Sequence, residues 1–161
     1  MNTVSLLNLG SVSVIPYLVI GYGNSLRSDD GAGCQVAETV AGWGLEQVES
    51  LSLHQLTPDL AEIISRSNIV IFVDAAVRVT EATIEELHPS NGETFTNHYA
   101  DPRSLLALAR VLYQRVPAAY RVLIPATSFE FGETFSSLTQ ESVSHALAKI
   151  KQLICISHPV G

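Results

Sequence analysis

The sequence predicts an α/β fold: a single three-layer α/β/α domain with a twisted, mainly parallel sheet of about five strands. Two observations support this fold class. Short apolar runs alternate along the chain with segments in which apolar residues recur at the period of a helix. Glycines and two aspartates also cluster where the first apolar run meets the first helical segment, a place where open α/β sheets bind ligands. The 161 residues suit one domain that covers residues 1–161.

The strands are predicted from short apolar runs that polar or turn-forming residues interrupt. Continuous runs such as Ile69–Val73 suit a sheet that is covered on both faces. The glutamates in the run 83–87 indicate an edge strand, because an edge can face solvent. In chain order, the predicted strands are 17–21, 48–53, 68–74, 83–87 and 120–124.

The helices are predicted from apolar stripes and from residues that begin or end a helix. The first follows the aspartate pair and ends near Gly42 or Gly44. The segments Thr57–Asp59 and Asp101–Pro102 each combine a capping side chain with a proline suited to the first helical turn, so they start the second and third helices. The final helix has the clearest apolar stripe, which consists of Val143, Ala146, Leu147, Ile150, Leu153 and Ile154.

Composition and charge limit the classes of function. Hydrophobic residues make up 47% of the chain and charged residues 16%, against a usual charged share of about 25%. The net charge of −7 disfavours nucleic acid or an anionic membrane as the main partner. Residues 1–16 lack the basic region of a signal peptide, and no run is long enough to span a membrane. We therefore expect a cytoplasmic protein, with Cys34 and Cys155 as reduced, buried side chains.

The segment 21–33 joins the first strand to the first helix and carries four glycines. It does not fit a dinucleotide fingerprint, because the third glycine would fall at Leu26, and no Walker lysine follows. Asp29 and Asp30 would also repel a phosphate at the start of the helix. One aspartate is enough to cap the helix, so the pair favours a site that binds a metal or handles a proton.

Further candidate side chains lie in loops at the same predicted edge. Asp74 ends a buried strand, where a carboxylate needs a metal, a hydrogen-bond donor or water; capping the next loop is the alternative. His98 precedes the third helix, and a solvated loop histidine is the alternative there. Together, two carboxylates and one imidazole suit nickel, zinc or manganese. The sequence leaves the roles of His54, Glu130 and Glu133 open.

Residues 21–33, the strand end Ile71–Ala75 and His98 together resemble the nickel-iron hydrogenase maturation endopeptidases. The length and the order of the elements are similar along nearly the whole chain. Members of this family remove a C-terminal peptide from the hydrogenase large subunit after nickel insertion. The resemblance implies the same activity here, and a phosphorylase/hydrolase-like fold.

The same resemblance implies which residues form the site. Asp30, Asp74 and His98 would bind the metal, and Asp30 or Asp29 would act as the catalytic base. Some members have glutamate where this chain has Asp30. The metal would be nickel carried by the large-subunit precursor, although such a site can also hold zinc or cadmium. A monomer that meets its precursor transiently is sufficient for this function.

Two segments resemble one branch of the family. Many members have a Gly-Gly-Thr turn after the second strand, where this chain reads Leu-His-Gln-Leu-Thr-Pro at 53–58. This segment and Ser128–Glu133 are similar to the branch that serves bidirectional, NAD(P)-linked hydrogenases.

Other functions remain as alternatives. A serine or cysteine hydrolase is not expected, because no serine lies in a nucleophile elbow and neither cysteine has a recognisable activating histidine. A general metallohydrolase for small substrates would act on short peptides or esters. A non-catalytic escort that binds a metal or nucleotide is the alternative favoured by the glycine-rich turn and the low surface charge.

Overall fold

The computed structural model describes residues 13–91 and 101–157. Its central element is a five-stranded sheet. The strands are β1 (Ile15–Tyr22), β2 (Val48–Leu53), β3 (Ser67–Ala76), β4 (Thr83–Leu87) and β5 (Ala118–Pro125). Their order across the sheet is β2-β1-β3-β5-β4. Four strands run parallel, while β4 pairs antiparallel with β5 at the edge. The predicted mainly parallel sheet is therefore confirmed, and so is the edge position of β4.

Helices cover both faces of the sheet. They are α1 (Ala32–Gly42), α2 (Leu60–Ser65), α3 (Pro102–Tyr113) and α4 (Ser137–Ser157), and a 3-10 turn (Ser28–Gly31) precedes α1. The helices α1 and α4 pack together on one face, and α2 and α3 pack together on the other. This arrangement is the predicted three-layer domain. In the described part of the chain, no helix is long and apolar enough to cross a membrane.

The side chains of β1 contribute to two hydrophobic clusters, one on each face of the sheet. Tyr17 and Val19 pack with residues of α1 and α4. Leu18 and Ile20 pack with residues of α2 and α3. Successive residues of a strand point to opposite faces, so a central strand with helices on both sides must be apolar throughout. This requirement explains the continuous apolar run from which the strand was predicted.

The two predicted helix starts have different outcomes. At the start of α3, the Asp101 carboxylate accepts a hydrogen bond from the Arg103 N–H at 3.2 Å, and Pro102 takes the first helical position. At the start of α2, the segment Thr57–Asp59 forms a turn and the helix begins at Leu60. In this second case, the residues with the capping pattern form the turn that precedes the helix.

The two cysteines lie in different surroundings. Cys34 is buried, as expected, and its thiol donates to the carbonyls of Gly23 and Leu53 at 3.5 and 3.3 Å. Cys155 is exposed, so its predicted burial is wrong. It follows the buried Ile154 on α4, and the next residue along a helix turns by about 100° away from the buried stripe.

Glycines let the chain after β1 pack at backbone distance against its neighbours. A Cβ atom at Gly21 would overlap the carbonyl oxygen of Gly33, and one at Gly33 would overlap that of Val73. Gly23 has a φ of +142°, and a Cβ there would overlap the carbonyl oxygen of Asp30. Because these obstacles are backbone atoms, side-chain rotation cannot relieve them. The glycines therefore hold the aspartate-bearing turn close to the ends of β1 and β3.

We predict that Gly33→Ala lowers the free energy of unfolding by about 3 kcal/mol or more, because the added methyl group must push two backbone segments apart. Gly42→Ala is the matched control, since no atom lies within 4 Å of a Cβ built at this position in α1. The control should be neutral or stabilising by up to about 1 kcal/mol. Urea unfolding followed by circular dichroism measures both, and equal effects would contradict the close-packing argument.

Candidate active site

The candidate site lies at the edge of the sheet where β1 and β3 end. The chain leaves β1 through the 3-10 turn that carries Asp29 and Asp30. The parallel register of β1 and β3 places Tyr22 beside Asp74, and their side chains are hydrogen-bonded. Asp30 lies close enough to Asp74 for its negative charge to raise the pKa of that carboxyl group. The structure thus brings the Asp30 and Asp74 carboxylates together at one edge of the sheet.

Asp29 faces away from solvent and is 0% exposed. One of its oxygens, Oδ2, accepts from the N–H groups of Thr127 and Ser128, both at 2.9 Å, and from the Thr127 hydroxyl at 3.4 Å. Ser136 donates its N–H to Oδ1 at 2.7 Å and its hydroxyl to Oδ2 at 2.8 Å. Five hydrogen bonds therefore join this carboxylate to both ends of the loop between β5 and α4.

These donors also determine the charge of Asp29. Burial alone would raise its pKa, but the N–H groups of Thr127, Ser136 and Ser128 and the Ser136 hydroxyl hold the pKa well below the usual range. The carboxylate stays ionised, and its oxygens are occupied by fixed donors. This environment favours a structural role for Asp29 over the predicted alternative of a catalytic base.

Asp30, the next residue, has a more open environment. Its side chain is half-buried, and Oδ2 accepts a hydrogen bond from the Asn24 N–H at 2.8 Å. This contact closes the turn that follows β1 and fixes the direction of the carboxylate. Adjacent residues on a helical turn point in different directions, so Asp29 faces the protein interior while Asp30 remains at the edge near Asp74.

Asp74 has an unusually basic carboxyl group. Burial raises its pKa to about 6, and the negative charge of Asp30 adds to this effect. The Tyr22 hydroxyl, the Ala75 N–H and the charge of Arg121 act in the opposite direction. Tyr22 in turn has a pKa raised above its usual range by burial and by the Asp74 carboxylate to which it donates. A largely buried carboxylate with a second carboxylate nearby forms a site that a cation would stabilise.

The other predicted site residues are placed less centrally or lie outside the described residues. His98 belongs to the second group, so the structure does not test its place beside the two aspartates. His54, Glu130 and Glu133 have exposed side chains. Within residues 13–91 and 101–157, no group of three His, Cys, Asp or Glu side chains is arranged to hold a metal ion. The three-ligand metal site therefore stays a prediction that depends on His98.

Sequence reasoning missed two groups of residues around the aspartates. In the sequence, Tyr22 is only one residue of the glycine-rich segment, and its position at the end of β1 is the signal for a donor to Asp74. The donors to Asp29, at Thr127, Ser128 and Ser136, lie about a hundred residues later in the chain. Their only sequence signal is the group of hydroxyl residues after β5.

We predict that Asp29→Asn lowers the free energy of unfolding at pH 7 by about 2–4 kcal/mol, because its amide NH₂ would face N–H donors and leave buried groups unpaired. Asp59→Asn is the matched control, since Asp59 is exposed and its side chain makes no capping hydrogen bond. Urea unfolding measures the difference. Equal stabilities of the two variants would show that the Asp29 contacts add no net stability.

We predict that the metal-free protein loses stability as the pH rises from about 4 to 6. The folded pKa of Asp74, about 6, lies above the value of about 3.9 in an unfolded chain, so the folded state binds this proton more tightly. Asp74→Asn removes the titration. The variant should match the parent below pH 4 and exceed it by about 2 kcal/mol at pH 7.

Urea unfolding at several pH values in the presence of a chelator tests this expectation. The Asp59→Asn variant again serves as the control, because its carboxyl group is exposed. Parallel pH profiles for the parent and Asp74→Asn would contradict the raised pKa.

Comparison with known proteins gives a consistent structural result. No protein-family model and no curated protein sequence matches the chain. The hydrogenase maturating endopeptidase HybD from E. coli is similar in structure, with a TM-score of 0.72 at 18% identity, over 89% of this chain and 94% of that one. The NiFe hydrogenase maturation protease HybD from Thermococcus kodakarensis has a TM-score of 0.65 at 20% identity, over 86% and 98%.

A third structure agrees with these two. The NiFe hydrogenase maturation protease HycI from Thermococcus kodakarensis KOD1 has a TM-score of 0.64 at 21% identity, over 93% of this chain and 98% of that one. Likeness at such identities establishes a shared fold. The resemblance noticed in the sequence is thus matched in three dimensions: this chain has the fold of the hydrogenase maturation proteases.

Proposed function

We propose that this protein is an endopeptidase that removes the C-terminal extension of a nickel-iron hydrogenase large-subunit precursor after nickel insertion. One observation supports the proposal: Asp30 lies near enough to Asp74 for its charge to act on that carboxyl group at the carboxyl edge of the sheet, in a fold shared with hydrogenase maturation proteases. The motif resemblance of residues 21–33 supports the same conclusion. Because the substrate is a large precursor protein, specificity comes from contacts with that precursor. A deep pocket for a small molecule is not needed.

In this proposal, nickel arrives as part of the substrate. Asp30, Asp74 and His98 bind the ion that the precursor already carries. Carboxylate oxygens and an imidazole nitrogen suit nickel, and a cation would offset the burial and the repulsion from Asp30 that raise the pKa of Asp74. Precursor without nickel lacks this contact, so the protein distinguishes loaded from empty precursor by a difference in binding free energy.

Residues of this chain then hold the carboxylates that take part in the cleavage. A bound metal ion supplies polarisation of a carbonyl group or activation of a water molecule. Tyr22 holds the Asp74 carboxylate by its donated hydrogen bond, and the Asn24 N–H holds Asp30. The oxygens of Asp29 are occupied by other donors, which favours Asp30 as the carboxylate that accepts a proton from water.

The decisive experiment compares nickel-loaded and nickel-free precursor as substrates of the purified protein, with mass spectrometry of the products. Loaded precursor should lose its C-terminal extension in a single cut, and empty precursor should remain intact. Equal cleavage of both would contradict recognition through nickel. Binding of precursor with no change in its mass would instead favour a non-catalytic escort.

We predict that Asp30→Ala, Asp74→Ala and His98→Ala each lower kcat/KM for the loaded precursor by about a hundredfold or more, since each removes a ligand of the nickel ion. Asp59→Ala and His88→Ala are matched controls because both side chains are exposed. The controls should cleave at the parent rate. Undiminished cleavage by Asp74→Ala or His98→Ala would contradict the proposed site.

A further inference from the structure

The loop between β5 and α4 presents an aromatic side chain to solvent. Phe131 is 87% exposed, more than any other large hydrophobic side chain in the described residues. Leu26, which lies beside this loop, is 48% exposed. Isolated exposed apolar residues are common on protein surfaces, so the exposure of Phe131 has meaning only if the loop is unable to bury it.

The backbone around Phe131 is held in place. The Gly132 N–H donates to the Leu26 carbonyl, and the Ser28 N–H donates to the Gly132 carbonyl, both at 2.8 Å. The Ser28 hydroxyl donates to the Glu130 carbonyl at 2.7 Å. These contacts fix the residues before and after the phenyl ring. Relaxation of the loop toward the interior would break all three hydrogen bonds.

The same loop is also anchored from inside the protein. Asp29 accepts hydrogen bonds from Thr127 and Ser128 at one end of the loop and from Ser136 at the other. The ring is therefore displayed by a preorganised loop, which costs little conformational entropy when a partner binds it. Aromatic side chains, phenylalanine included, are enriched in the buried cores of protein interfaces.

Charge indicates what kind of partner fits. Glu130 and Glu133 are exposed on both sides of Phe131 in the sequence. Arg27 is paired with Gly132 in a short β-bridge and is also exposed. The chain as a whole carries −7. A complementary surface would have an apolar recess for the ring with lysine or arginine at its rim.

The position of the loop connects it to the candidate site. Ser28, which binds Glu130 and Gly132, is two residues before Asp30 on the same 3-10 turn. The loop also follows β5, the strand that pairs with β3 as far as its end at Ala76. The loop that carries Phe131 is thus hydrogen-bonded to the same 3-10 turn that carries Asp30.

We propose that the loop 130–133, with Phe131 at its tip, is a docking surface for the hydrogenase large-subunit precursor. This inference rests on the proposed function and names a contact outside the metal-binding residues. The ring inserts into an apolar recess of the precursor, and Glu130 and Glu133 pair with basic side chains at the rim. The loop thereby selects and orients the precursor, while the chemistry takes place at the aspartates.

The test uses the purified full-length protein and the nickel-loaded large-subunit precursors of the same organism. Phe131→Ser should weaken precursor binding, or raise KM, by about tenfold or more, and kcat at saturating precursor should stay within about twofold of the parent. Tyr113→Ala is the matched control: this exposed aromatic residue, 45% exposed, ends α3 at the opposite edge of the sheet. It should leave both constants unchanged.

A charge test is independent of the ring. The double variant Glu130→Lys, Glu133→Lys should slow association and weaken its dependence on salt. Glu46→Lys, an exposed glutamate between α1 and β2, is its control and should leave both unchanged. Circular dichroism checks that each variant is folded.

The outcomes separate this inference from the proposed function. Binding of Phe131→Ser within twofold of the parent would overturn the docking surface, even if cleavage is normal. A parent protein that does not bind any precursor would overturn it too. A parent that binds precursor through Phe131 without cleaving it would support the docking surface and overturn the endopeptidase.

Discussion

The buried carboxylate of Asp29 is the interaction on which the rest of the candidate site depends. It is closed off from solvent and accepts five hydrogen bonds from the loop between β5 and α4. Charged hydrogen bonds of this kind are strong, and removing one partner leaves buried donors without an acceptor. Through Asp29, the turn after β1 and the loop after β5 form one rigid unit. The Asn24 N–H then orients Asp30 on this turn, and hydrogen bonds of Ser28 and Gly132 hold the backbone around Phe131.

Neighbouring aspartates thus have different physical roles because of their surroundings. Asp29 is kept ionised by fixed donors, which leaves its oxygens little freedom to accept a proton or a metal ion. Asp74 is largely buried and lies close to Asp30, so its charged form is disfavoured until a cation or a proton binds. A site held in this state responds to positive charge, which is the property that recognition of a metal-loaded precursor requires. Tyr22 and Asn24 keep the two responsive carboxylates in place.

The glycines allow the backbone segments around the site to pack closely, whereas the aspartates supply its negative charge. Gly21 and Gly33 permit backbone contacts that no side chain would allow, so the 3-10 turn lies directly against the ends of β1 and β3. Because α1 begins in this contact, its position on the sheet is fixed from its first turn. The fold shared with the HybD and HycI structures provides the sheet edge, and these local contacts decide which carboxylates reach it.

The sequence predicts most of the secondary structure and its layering, because apolar periodicity records which faces are buried. It identified all five strands, the edge strand β4 and the buried stripe of α4. It also placed Asp30 in the turn after the first strand and Asp74 at the end of the third, and parallel strands end at the same edge of a sheet. It left open whether Asp29 or Asp30 is the catalytic base, since adjacent residues have the same local sequence. Only the tertiary structure separated them, because the donors to Asp29 lie about a hundred residues away in the chain.

The same is true of Tyr22 and of the exposed Phe131. Burial, hydrogen bonding and exposure at these positions depend on contacts that form only when distant segments fold together.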